Sequence, residues 1–277
     1  MSNIKNAFSK GKAFIPFITC GQISLDITEK TIYEMEKNGA NLIELGIPFS
    51  DPVAEGSIIQ SANNRALKNG TTTDKIFSML ESVRKNTDIP MVFMTYANIV
   101  FSYGIDRFAE KSRKLKIDGI ILPDVPYEEK KEFDSIFKKH NIDFISLIAP
   151  TSEERISAIA KDSNGFIYCV SSLGVTGIRK NINTNIEKMV NLVKSVNNIP
   201  VAVGFGISTP KQAKEMSKYA DGVIVGSAIV KLCEEYGEDS PSYVGKYVKE
   251  MKNAILWFSF NNLYFKNINE RNKIIVF

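Results

Sequence analysis

Along the chain, short apolar runs rich in β-branched residues alternate with segments whose apolar side chains recur every three to four positions. The first pattern has the period of a buried strand and the second that of an amphipathic helix. Strands are expected at residues 13–19, 41–47, 90–95, 119–122, 143–148, 165–170, 200–204 and 222–225, eight in all. Helices are expected between and after them at residues 25–38, 73–85, 105–116, 127–140, 152–162, 185–197, 210–219 and 241–255. Start signals mark several of these, such as Thr151-Ser152 ahead of Glu153-Glu154, and Ser208-Thr209-Pro210 with its capping hydroxyl and first-turn proline. Strict β-then-α alternation with short connections implies a parallel sheet. Eight units in about 250 residues fit a closed (β/α)8 barrel, the TIM-barrel architecture, better than an open doubly wound sheet.

The barrel is expected to occupy residues 1–255 as a single domain. Residues 256–277 then form an aromatic-rich tail, from Leu256-Trp257-Phe258 to Ile274-Ile275-Val276-Phe277, with no assigned role. An extension of the last helix over the barrel's outside is the bland reading; an exposed apolar patch for a partner is the sharper one.

The stretch 42–56 carries the most chemistry. With strand alternation, Ile43, Leu45 and Ile47 share one face, and Leu42, Glu44 and Gly46 the other. If the apolar face packs on helices, as a parallel sheet requires, Glu44 points into the barrel near the strand's carboxyl end, where such folds keep catalytic groups. Two connections exceed what structure alone needs. One, at 48–72, carries Asp51, Glu55 and a helical piece at 58–67; the other, at 171–184, is rich in Gly, Asn and Lys, as a lid over an anionic ligand would be. Small residues also cluster in the late loops. Gly177, Gly206 and Gly226-Ser227, the last opening a short helix at 228–232, suit backbone N–H groups that hold a phosphate.

Composition narrows the function classes. At 277 residues with 44% apolar side chains, the chain can bury a full core. Its formal charge of +4 is mild, and the lysines lie mostly opposite apolar helix stripes, which points away from nucleic acid but allows an anionic ligand. Cys20, Cys169 and Cys233 match neither a disulfide framework nor a metal spacing. His140, the only histidine, stands at a helix end, so neither a histidine triad nor a histidine metal cluster is expected. The G-x-G-x-x-G spacing of a dinucleotide site is absent from Gly174-Val175-Thr176-Gly177 and from Gly204-Phe205-Gly206. Residues 1–12 lack a signal-peptide apolar core and no run reaches 18 apolar residues, so a cytoplasmic protein without a membrane span is expected. Asp124 is a second acidic candidate, but Asp124-Val125-Pro126 also reads as a strand-to-helix turn.

Pro48-Phe49-Ser50-Asp51-Pro52-Val53-Ala54-Glu55-Gly56, preceded by Glu44-Leu45-Gly46, strongly resembles the signature of the tryptophan synthase alpha subunit family. The likeness continues through Thr95-Tyr96-Ala97-Asn98, residues 123–129, Ala149-Pro150-Thr151, residues 171–177, Val203-Gly204-Phe205-Gly206-Ile207-Ser208 and Gly226-Ser227, and it covers about residues 11–255. The resemblance implies a barrel that cleaves indole-3-glycerol phosphate to indole and glyceraldehyde 3-phosphate. It implies no cofactor in this chain and no metal; pyridoxal phosphate (PLP) would sit only in a partner beta subunit, in an α2β2 complex that receives the indole.

Carried over by position, the resemblance makes Glu44 the acid/base, Glu55 the carboxylate that holds the indole N–H, and Tyr168 the tyrosine beside them. Phe17, Tyr96, Ile121 and Phe205 would line the indole pocket, Thr176 and Gly177 would belong to the closing loop, and Gly177, Gly206, Gly226 and Ser227 would hold phosphate. Three departures stand out. Glu55 replaces the family's aspartate, Ser57 replaces a proline, and Gln22-Ile23 replaces the usual Asp-Pro. Alternatives remain open at this point: a catalytically weak subunit that mainly docks on and activates the beta subunit, or another phosphate-binding barrel such as an indole-glycerol phosphate synthase or a sugar-phosphate isomerase.

Overall fold

The computed structural model describes residues 2–170, 182–204 and 206–272, except for the side chains of 182–185 and 257–272. Its strands are β1 (Ala13–Thr19), β2 (Ile43–Gly46), β3 (Met91–Met94), β4 (Gly119–Ile121), β5 (Asp143–Phe144), β6 (Ser146–Ile148), β7 (Ile167–Val170), β8 (Val201–Gly204) and β9 (Gly222–Val225). Each expected strand is present, and the fifth is divided into β5 and β6 at Ile145. All pairings are parallel, in the order β5-β4-β3-β2-β1-β9-β8-β7-β6. Only Ile145 separates the two end strands, and its N–H still donates to the Ile120 carbonyl at 2.9 Å. The sheet therefore closes on itself as a (β/α)8 barrel.

Alternation along each strand builds two cores. Ile43 and Leu45 of β2, Phe93 of β3 and Val201 and Val203 of β8 face outward into a layer shared with helix residues such as Ile32, Leu80 and Phe108. Ile15 and Phe17 of β1, Val92 and Met94 of β3, and Tyr168 of β7 face inward and fill the barrel. The helices are held at their starts by hydroxyl caps. Ser152 accepts from the Arg155 N–H at 3.2 Å, and Thr209 forms a capping box with Gln212 ahead of Pro210.

Two elements differ from the expectation, and a third follows one of the two readings of the tail. A short helix, Ile4–Phe8, closes the amino end of the barrel; Ile4 is fully buried, and the Phe8 ring lies 5.8 Å from that of Phe166. Five residues in a polar segment leave too little periodicity to reveal it. A helix at Ala97–Tyr103 occupies what reads as loop, and Asp124 caps it by accepting from the Ala97 N–H at 3.1 Å through both carboxylate oxygens. The final helix runs Ser240–Asn272 without interruption at 255, because no glycine or proline follows Gly245 within it. Lys252 fastens that helix to the barrel's amino end by donating to the Lys12 carbonyl and Asn41 Oδ1, both at 2.7 Å.

The amino-end plug is expected to contribute to stability without touching the opposite rim. Ile4→Ala should destabilise the fold by about 2–5 kcal/mol, as for other buried aliphatic truncations, measured by urea unfolding. A loss under about 0.5 kcal/mol, the range of a surface change, would show that the plug is not part of the cooperative core.

Candidate active site

Glu44 is the polar member of the inward face of β2, and its register partners are Phe17 on β1 and Val92 on β3. It is 1% exposed, and its Oε2 has no hydrogen-bond partner. Burial and the charge of Glu55 push its pKa up to about 8, in that order of importance. The carboxyl is thus mostly protonated at neutral pH. Once it has given up that proton, it is a base of matching strength.

Glu55 comes from the long connection after β2. Burial pushes its pKa up to about 7, against the effect of hydrogen bonds from Asn63 and Tyr96 that favour its charged form. Asn63 Nδ2 donates to Glu55 Oε2 at 2.7 Å from the helix Ser57–Lys68. The Tyr96 hydroxyl also accepts from the Ala54 N–H at 3.1 Å. Its ring meets Phe49 at 5.1 Å, so the two sides of the loop are held to the rim of β3.

Tyr168 stands on β7, buried, with its pKa raised by burial and by the charge of Glu44. Two glycines make room for the rings. A Cβ on Gly204 would lie 2.5 Å from the Tyr168 hydroxyl, and one on Gly46 would lie 2.6 Å from Cζ of Phe17. Any larger residue at either place would displace an aromatic wall.

These groups meet in one cavity of about 300 Å³. Phe17, Glu44, Glu55, Met94, Tyr168 and Ile224 form part of its wall, and Gly206, Ile207, Ser208, Gly226, Ser227 and Ala228 form the part made by the loops after β8 and β9. Ser227 opens the helix Ser227–Tyr236; Ile229 and Val230 donate to the Gly226 carbonyl, and the N–H groups of Ser227 and Ala228 ahead of them suit an anion. The arrangement brings together a carboxyl that can transfer a proton, an apolar slot and N–H groups that can receive an anion.

The expected site residues Glu44, Glu55, Tyr168, Phe17, Gly206, Gly226 and Ser227 all line this cavity. Tyr96 is 2% exposed and reaches Glu55 from behind, and Ile121 is buried in the inner cluster on β4; neither is among the lining residues. Thr176, Gly177 and Phe205 lie outside the described residues. Met94 and Ile224 were not singled out from sequence, although both occupy inward positions near the carboxyl ends of their strands. Asn63 was also missed; its signal is a polar residue within a buried stripe, between Ala62 and Ala66. Gln22, at one of the departures, is 4% exposed and donates from Nε2 to the Val230 carbonyl at 3.0 Å, tying the first loop to the anion-cradle helix. Among the described residues, no cluster of His, Cys, Asp and Glu is arranged to hold a metal, and no helix is long and apolar enough to cross a membrane.

The family model described as "Tryptophan synthase alpha chain" matches residues 3–255. A tryptophan synthase alpha chain from Lacticaseibacillus casei is 44% identical over 255 residues, covering 92% of this chain and 96% of the relative. One from Thermoanaerobacter sp. (strain X514) is 46% identical over 246 residues, covering 88% and 94%. Among solved structures, tryptophan synthase subunit alpha from Legionella pneumophila superposes with a TM-score of 0.83 at 34% identity, covering 92% of this chain and 98% of that one. A chain of the tryptophan synthase a2b2 complex from Pyrococcus furiosus gives 0.79 at 34% identity, covering 87% and 98%.

The burial of Glu44 has a consequence for stability that is independent of any ligand. Its folded pKa of about 8 lies above the ordinary 4.5, so the folded chain binds the proton more tightly than the unfolded one, and stability falls as pH rises from about 4.5 to about 8. The slope from this one group is at most about 1.4 kcal/mol per pH unit. Glu44→Gln should flatten the stability curve over that window and leave the variant more stable than the natural chain at pH 8. Urea unfolding at pH 5 to 9 tests this, and parallel curves for the two chains would contradict it.

Proposed function

The chain belongs to the tryptophan synthase alpha chain family, and we propose that this barrel cleaves indole-3-glycerol phosphate to indole and glyceraldehyde 3-phosphate with Glu44 as its acid/base. The observation that carries the reading is that Glu44 and Glu55 line the same cavity, close enough that the charge of one raises the pKa of the other.

The reaction needs three things of its catalyst. Indole C3 must accept a proton, the hydroxyl on the adjacent chain carbon must lose one, and the positive charge on the ring nitrogen must be stabilised in between. Protonated Glu44 supplies the first. As the C3–carbon bond breaks, its electron pair returns to the indole ring and the hydroxyl becomes the aldehyde, whose proton goes to the Glu44 carboxylate. The acid is thereby regenerated and no net proton is consumed. Glu55, ionised above its pKa of about 7, accepts the indole N–H and stabilises the cationic ring. Phe17, Met94 and Ile224 supply an apolar slot, and Tyr168 packs beside Glu44. Gly206, Gly226 and Ser227 hold the phosphate through backbone N–H groups and a hydroxyl.

A beta subunit is the partner of this family, and the α2β2 arrangement is proposed for this chain as well. Val53 is 80% exposed and Phe101 52% exposed, on the connections after β2 and β3, so two large apolar side chains stand uncovered at the carboxyl rim. Indole would leave through that rim to the partner. Pyridoxal phosphate is assigned to the partner, as the family resemblance implies. Among the described residues that line the cavity there is no lysine, which disfavours an indole-glycerol phosphate synthase. The hydrogen bond that Asn63 gives Glu55 from behind the cavity wall favours a working lyase over a subunit that only docks.

Indole release from indole-3-glycerol phosphate, with and without a beta subunit, tests the assignment. The natural chain should be active, and Glu44→Gln should lower kcat by about 10²–10⁴-fold. A natural chain that is inactive under both conditions but is rescued by Glu55→Asp would overturn the catalytic claim in favour of a docking subunit.

A further inference from the structure

We propose that Asn63 and Tyr96 act as positioning residues that clamp Glu55, setting where its longer side chain delivers the carboxylate. The proposal rests on the lyase reading and concerns how this chain accommodates a glutamate where its family resemblance implies an aspartate.

Three features support the clamp. First, both partners are themselves fixed. Asn63 is 3% exposed on the helix Ser57–Lys68, and Tyr96 is 2% exposed at the start of the helix Ala97–Tyr103. Second, they approach from different elements. Asn63 Nδ2 reaches Glu55 Oε2 at 2.7 Å, while the Tyr96 hydroxyl stands beside the Glu55 carboxylate, where it favours the charged form, and accepts from the Ala54 N–H, on the residue immediately before it. A side chain held at its head from two elements, with its backbone tied to one of the same groups, has little freedom left. Third, the arrangement is costly unless it serves the carboxylate: Asn63 is a buried amide on an otherwise apolar stripe, where a partner is required.

The electrostatics agree with this geometry. Among the described residues, the titratable groups that face Glu55 or its clamp are Glu44 from β2, Tyr96 from behind Glu55, Tyr168 from β7 and Asp124 near Tyr96, and none of these brings a positive charge. Burial pushes the Glu55 pKa up to about 7, and among the described residues the two groups that pull it back toward the charged form are those of the clamp. Removing a donor should raise the pH at which Glu55 ionises. Since the anion is the form that accepts an indole N–H, the acid limb of kcat/KM should move upward, while the alkaline limb, set by loss of the proton from Glu44, stays in place.

The test uses Asn63→Ala and the isosteric Tyr96→Phe, each made in the natural chain and in a Glu55→Ala background. Two readouts are taken: the pH profile of kcat/KM for indole-3-glycerol phosphate with the beta subunit bound, and the ¹³C titration of the Glu55 carboxyl in the unliganded chain, identified by its loss in Glu55→Gln. The expected result is a loss of about ten- to a hundredfold at pH 7, an acid limb and a carboxyl titration that both move up, and no further loss in the Glu55→Ala background. Equal losses in both backgrounds would overturn the proposal by showing that the residues act through packing. An unmoved carboxyl titration would overturn it too, as would a moved titration with unchanged kcat/KM. A natural chain that fails to turn over counts against the lyase reading alone, because the titration still decides the clamp.

Discussion

Because Glu44 is buried beside Glu55 with no cation acting on either among the described residues, neither carboxyl can hold its charge as it would in water. A buried charge is ordinarily neutralised by a partner or by a proton. Here Glu44 takes the proton and Glu55 takes hydrogen bonds. The same environment thus raises the pKa of both carboxyls and lowers only that of Glu55 in part through hydrogen bonds, a difference that fits the acid and anion roles proposed for a carbon–carbon cleavage at an indole ring. A lysine or arginine placed between them would relieve the repulsion and erase that difference.

The barrel makes this arrangement tolerable by separating stability from chemistry. The outer layer of strand and helix side chains is continuous and apolar, and the amino end is closed by Ile4–Phe8 and by Lys252 at the start of β1 and β2. The carboxyl end is then free to carry unpaired and repelling groups. Its aromatic walls depend on what is missing beside them. Phe17 occupies the space left by Gly46, and Tyr168 that left by Gly204, so the site's shape is set as much by the absence of two Cβ atoms as by the rings themselves.

How much of this was legible in the sequence follows from the range over which each signal acts. Glu44 was placed correctly inside the barrel because strand alternation is local, and Ile43 and Leu45 on either side reveal the outward face. The same locality marked the helix starts at Ser152 and Thr209. The division of the fifth strand at Ile145 left no mark, since it arises where the sheet must close on β4 and β7 at once. The Asn63 contact was also hidden: within one helix an asparagine between alanines is unremarked, and only the return of the loop onto that helix gives it a target. The roles carried over for Thr176, Gly177 and Phe205 lie outside the described residues and remain part of the proposal.

A glutamate in place of an aspartate moves a carboxylate by about one carbon–carbon bond, roughly 1.5 Å, which is enough to spoil a proton or hydrogen-bond geometry if nothing else responds. The response here need not be a shifted backbone. The helix Ser57–Lys68 that supplies Asn63 also bonds through Arg65 to Glu234 at 2.8 Å, on the helix whose first turn forms the anion cradle. Gln22, another departure, ties the first loop to that same helix through the Val230 carbonyl. The Glu55 carboxylate and the proposed phosphate amides are therefore referred to one packed pair of helices. In the proposed site, where that pair would set the distance between the two ends of the substrate, a change in side-chain length can be absorbed by bending Glu55 back onto Asn63 and Tyr96, without displacing the cradle.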